Sequence, residues 1–123
     1  MSTSNTRLIE AVSDPKHVGA ICPQATARLL GLTVTSLVPV LRVHRNTVFN
    51  NPRSPRVQEG LADVLAVLVA AVSLCGSEAQ AVLWFKRFPI RDFGGATPME
   101  LVSQGKARVV VGYIDSLQAG ALG

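Results

Sequence analysis

The stretch Val64–Cys75, VLAVLVAAVSLC, is the longest uncharged apolar run in the chain, with Asp63 directly before it and Gly76 directly after it. Twelve residues fall short of the roughly 20 that a bilayer-spanning helix needs. A helix that is apolar nearly all round must instead be covered on every side, which predicts the central helix of a bundle. That helix is expected from Val57 to Cys75, ending at Gly76. The remaining segments must then supply the elements that cover it. With 123 residues, 48% of them hydrophobic and only 5% aromatic, the chain suits one domain whose core is built from Val, Leu, Ile and Ala. The expected fold class is all-α, a compact helical bundle.

Start and stop signals place the covering helices. RLIEAV suggests a short helix ending before Pro15. CPQATARLLGL predicts a helix with Pro23 in its first turn, Gly31 at its end, and Ala25, Leu29 and Leu30 on one face. GSEAQAVLWFKRF opens another, where Ser77 and Gln80 have capping-box spacing; Trp84 is expected in the core. After the loop PIRDFGG, the segment ATPMELVSQGK carries the fullest signal: Thr97 as N-cap, Pro98 at the first helical position, Glu100 closing the box and Gly105 as the stop. The last element, KARVVVGYIDSLQAG, holds three consecutive valines, as a strand would. Its Ala107, Val110, Ile114 and Leu117 nevertheless share helical spacing, and no other segment offers a strand to pair with, so a helix is predicted.

Between these lies TVTSLVPVLRVHRNTVFNNPRSP. Thr33 or Thr35 is expected to cap a short helix through Leu37, Val38 and Leu41, with Pro39 tolerated in its first turn. A tight turn and a second short helix follow, which together read as a helix-turn-helix. The customary turn glycine is missing, and Arg42 stands near its place. Charge supports this reading. No Asp or Glu occurs from Pro15 to Gln58, a stretch that holds Lys16, Arg28, Arg42, Arg45, Arg53 and Arg56, whereas from Glu59 onward acids slightly outnumber bases. A basic field confined to one half of a chain is the electrostatic footprint of a nucleic-acid surface. The candidate DNA-binding residues are Arg42, His44, Arg45, Asn46, Thr47, Asn50, Arg53 and Arg56, because Arg reads guanine, Asn reads adenine and both Arg and Thr hold phosphate.

Other chemistry finds little support. Cys22 and Cys75 are isolated, as are His17 and His44, so no four-ligand metal spacing exists and the cysteines read as packing residues. There is no G-x-S-x-G, no Gly-rich phosphate loop and no H-E-x-x-H, and the eight carboxylates are scattered. Neither catalysis nor a cofactor is expected. The N-terminus MSTSNTRLIEAVSDPKH has no apolar run of the secretory kind, so a cytoplasmic location is expected, without a membrane.

The order Ala79, Ala81, Trp84, Gly95, Thr97, Pro98, Glu100, Leu101, Gly105 and Gly120 resembles the toxin-binding domain of the MbcA/ParS/Xre antitoxin family. The resemblance implies a division into residues 1–56, an N-terminal region with an Xre-like helix-turn-helix, and residues 57–123, a C-terminal toxin-binding region forming one compact unit. It further implies an antitoxin of a type II pair, encoded beside a RES-domain toxin that consumes NAD+. The antitoxin occludes the toxin's active site with its C-terminal helix and tail, in a homo-oligomer or toxin–antitoxin hetero-oligomer, with operator DNA as a further ligand.

On that reading the toxin-binding residues are Gln118, Ala119, Gly120, Ala121, Leu122 and Gly123, with Lys106 and Arg108 at the rim. The small residues suit a narrow cleft, and Leu122 offers one apolar anchor. The Gly123 carboxylate imitates a phosphate in a site built for NAD+. The alternatives are a free-standing helix-turn-helix regulator, or a localisation and interaction protein without a toxin partner.

Overall fold

In a computed structural model, the backbone of residues 3–122 and the side chains of residues 6–120 are described. Eight α-helices account for most of them: α1 (Thr3–Val12), α2 (Pro23–Leu30), α3 (Val34–Leu41), α4 (Arg45–Asn50), α5 (Pro55–Cys75), α6 (Glu78–Arg87), α7 (Pro98–Ser103) and α8 (Ala107–Leu122). A single 3-10 turn, Arg91–Phe93, lies between α6 and α7. Among the described residues there are two isolated bridges, Ser13 with Ile21 and Ile90 with Ala96, and no strand. The three valines of KARVVVGYI are helical, as their partnerless position in an all-α chain requires.

Helix α5 is the centre. It begins two residues earlier than expected, because Pro55 takes the first helical position and the Ser54 hydroxyl accepts the Val57 N–H. By length and apolar composition alone, its 21 residues would cross a membrane. Val57, Leu61, Val64, Val67, Leu68, Ala71 and Val72 are buried, however, and α6, α8, α3, α1 and α7 all pack against it. The same apolar surface is thus covered by protein. Phe85 of α6, Ile90, Leu101 and Val102 of α7, and Ala107, Val110 and Ile114 of α8 complete one side of the core. Leu8, Leu30, Leu37, Leu41 and Val48 complete the other.

Several local expectations shift. The buried face of α2 is Pro23, Thr26, Ala27 and Leu30, rotated from the expected Ala25, Leu29 and Leu30, of which only Leu30 is fully buried. The α2 N-cap is the Cys22 sulfur, which accepts the Ala25 N–H at 3.4 Å. Thr33 caps α3. Pro39 lies in the interior of α3, not in its first turn. A proline there removes the N–H that the Thr35 carbonyl would receive, and Thr35 faces solvent, where water can replace it.

Contacts far apart in sequence tie the halves together. Gln58 on α5 accepts the Ile21 N–H at 2.8 Å and donates to the Ile21 and Pro52 carbonyls, both at 2.9 Å. The Lys86 ammonium of α6 donates to the Leu30 carbonyl at the end of α2, at 2.7 Å. Gly60 lets α3 lie directly on α5: a Cβ at that position would stand 2.7 Å from the Leu41 carbonyl oxygen.

Candidate functional site

Two surfaces gather the candidate residues. The first is the α3–turn–α4 unit. Helix α3 ends at Arg42, whose φ of 60° and ψ of 36° make it the one non-glycine residue with positive φ among the described residues. It therefore occupies the left-handed position where a glycine is customary, at a conformational cost of about 1–2 kcal/mol. Its guanidinium lies over Gly105, in the turn between α7 and α8; a Cβ on Gly105 would sit 2.9 Å from the Arg42 Cζ. Gly105 has a φ of 80°, so its backbone favours glycine there, while the Arg42 side chain could swing aside from an added Cβ. Arg42 is thus a packing residue at the seam between the two halves as well as a cation beside α4.

Helix α4 starts at His44, whose Nδ1 accepts the Asn46 N–H at 3.2 Å. That bond requires Nδ1 to be unprotonated, so the imidazole serves as a cap. Val48 alone in α4 is buried. Arg42, His44, Thr47 and Arg56 line one shared cleft with Val43. Arg56 and Arg42 also line an adjoining groove with Glu59 and Asp63. The other candidates are separate. Arg45 lies over the Phe49 ring, 5.5 Å from its centroid. Arg53 pairs with the His17 Nε2, and the His17 Nδ1 is 3.4 Å from the Asp14 carboxylate. The Lys16 N–H bonded to Asp14 is the main reason that its carboxyl titrates below the ordinary value. Asn46 and Asn50 are exposed.

The second surface is the end of α8. The expected stripe of Ala107, Val110, Ile114 and Leu117 holds for the first three, which are buried, and fails at Leu117, which is 40% exposed. The reason is length: the bundle ends near Ile114, and α8 continues past it. At 1.5 Å per residue, residues 115–122 extend about 12 Å. Asp115, Ser116, Leu117, Ala119 and Gly120 are exposed and Gln118 is half-buried. The helix runs through Gly112 and Gly120, and among the described residues no other part of the fold lies within 4 Å of a Cβ built on either.

Val109, Gly112, Ser116 and Ala119 follow one another at helical spacing on the exposed face, an uncharged row of mostly small side chains. Arg108 lines a neighbouring cleft with Asp63 and Asp115. Lys106 is exposed in the turn before α8, two residues from Arg108, which is also exposed. The Ala121 and Leu122 side chains, and Gly123 entirely, lie outside the described residues.

Sequence reasoning missed an apolar patch on α6. Leu83, Trp84 and Phe88 line one groove with Cys75, Gln80, Arg87 and Pro89. Trp84 is half-buried and stacks on Phe88, with ring centroids 5.9 Å apart, so it is part core and part surface. Leu83 and Phe88 are spaced five residues apart, which no helical stripe would have flagged.

The helix that leads into α8 is built as its sequence specifies. The Thr97 hydroxyl accepts the Glu100 N–H at 3.1 Å, and the Glu100 carboxylate accepts the Thr97 N–H at 2.9 Å. That second bond holds the Glu100 carboxyl below its ordinary value. Among the described residues no cluster of His, Cys, Asp and Glu is placed to hold a metal ion.

No curated protein and no solved structure matches the chain. A family model does match, over residues 70–120, somewhat less than half of the chain: the antitoxin Xre/MbcA/ParS C-terminal toxin-binding domain. The segment runs from the second half of α5 to the projecting end of α8. It includes the capping box, the Gly105 turn and Gly120. The chain thus resembles the Xre/MbcA/ParS antitoxins through their toxin-binding domain, which supports an antitoxin role with a toxin as its partner.

Proposed function

We propose that the protein is the antitoxin of a type II pair, and that it neutralises a RES-domain, NAD+-consuming toxin by inserting the end of α8 into the toxin's active site. The observation that carries this reading is the unpacked end of α8. A helix that glycine weakens by roughly 1 kcal/mol per residue keeps two glycines that the packing of the described residues does not require. A partner that approaches the helix backbone closely supplies the missing reason. Leu117, and Leu122 beyond it, are then the apolar contacts, and burying one such side chain is worth about 1.5–3 kcal/mol.

The protein is not itself the catalyst on this reading. It binds without a cofactor, and it acts in the cytoplasm beside its toxin, in a hetero-oligomer. Residues 57–123 hold the toxin while residues 1–56 carry the second ligand, operator DNA. The acid-free stretch from Pro15 to Gln58 and the α3–turn–α4 unit favour that second activity. The test is co-expression with the product of the adjacent reading frame. Co-purification as a complex, with NAD+ spared when the antitoxin is present and consumed when it is absent, is the expected outcome. A neighbouring protein that neither co-purifies nor consumes NAD+ would contradict it.

A further inference from the structure

Helix α4 sorts its exposed groups by direction. Successive residues turn by 100°, so Asn46 and Asn50, two positions either side of the buried Val48, straddle the direction opposite to the core. Both are exposed, and Asn46 bonds the His44 cap through its backbone N–H. Among the described residues neither side-chain amide has a partner. Two of the neighbouring cations have a partner, Arg45 over Phe49 and Arg53 with His17, while Arg42 lies over Gly105 and Arg56 lines the same groove as Glu59 and Asp63.

From this arrangement we infer that α4 reads adenine·thymine pairs in the major groove, with Asn46 and Asn50 as the base-reading residues. The inference rests on the DNA-binding reading above and deepens it. An Asn amide presents a donor and an acceptor that match adenine N6 and N7, a pattern no other base offers in that groove. The two amides are about 6 Å apart along the helix, close enough to address neighbouring base pairs. The Phe49 ring, 46% exposed to one side of them and beneath Arg45, is the apolar group that would meet a thymine methyl. The exposed guanidinium groups at the margin of α4 suit phosphate contacts, which set affinity without reading sequence.

The experiment is selection from a random duplex pool at low salt, using the full chain as wild type, N46A, N50A and R45A. Circular dichroism confirms that each variant is folded. The wild type is expected to enrich a site with adenines at defined positions. N46A and N50A should each lower affinity for that site roughly 10- to 100-fold while binding random duplex as before. R45A should weaken both kinds of DNA alike and reduce the salt dependence. An enriched site fixed by guanine, or an adenine preference that survives in the N46A/N50A double variant, overturns the inference and leaves DNA binding standing. Failure of the wild type to bind any duplex at low salt overturns DNA binding itself, and the inference with it.

Discussion

Helix α4 and the end of α8 both turn side chains away from the core, by opposite means. Helix α4 has six residues, one of them buried, and depends on the His44 cap and the Arg42 turn for its place. It presents amides in a basic field. Helix α8 has sixteen residues, is anchored through Ala107, Val110 and Ile114, and beyond the exposed Asp115 projects small and uncharged groups. The first surface suits a charged, hydrated ligand whose affinity falls as salt rises. The second suits a dry cleft whose affinity hardly depends on salt. Two chemistries on one small fold therefore separate by measurement.

The largest expected effect is at Leu117. Leu117→Asp should weaken the toxin complex about 100-fold, close to 2.7 kcal/mol, while thermal stability stays within about 0.5 kcal/mol of wild type. A matching loss of stability would mean that the side chain belongs to the core, and the contrast between the two ends of α8 would collapse. Next is Gly60→Ala, where the added Cβ meets the Leu41 carbonyl, a backbone atom that cannot rotate away. Denaturant titration should show a loss of about 1–3 kcal/mol.

Gly105→Ala should cost about 1–2 kcal/mol through its positive φ, plus a further increment from the Arg42 guanidinium. In an Arg42→Ala background that increment should vanish, and a double-mutant cycle reads it directly. Additive changes would mean that the seam between α4's turn and α8's turn carries no coupling. Thr97→Ala should remove about 1 kcal/mol by opening the α7 cap.

The smallest effect is with pH. The Glu100 carboxyl has a lower pKa folded than unfolded, so its contribution is present above the ordinary carboxylate value and is lost as pH falls through the folded one. Melting temperature measured against pH should therefore fall less on acidification in Glu100→Gln than in the wild type.

What could be read from the sequence was what is decided locally. The Thr97–Pro98–Glu100 cap, the burial of VLAVLVAAVSLC and the helical state of RVVVGYI each follow from a few neighbouring residues. Arg42 stood out as a missing glycine, and its φ shows that the turn keeps the glycine-type conformation. What escaped was decided by partners distant in sequence. Arg53 looks like a free cation until His17 is brought against it, and Gln58 looks like surface until Ile21 is. Leu117 fits the stripe of α8 by spacing, but spacing does not say where α5 and its neighbours end. The Pro39 position failed for a simpler reason: Thr33 rather than Thr35 caps α3, which moves the proline into the helix interior.

The central claim is that the end of α8 inhibits a toxin without supporting the fold. It is tested most directly by removing residues 119–123 and measuring toxin inhibition and thermal unfolding on the same preparation. The account predicts an unchanged unfolding transition, because among the described residues the last buried one of α8 is Ile114, together with NAD+ consumption restored in the presence of the truncated chain. Full protection of NAD+ by the truncated chain would contradict it.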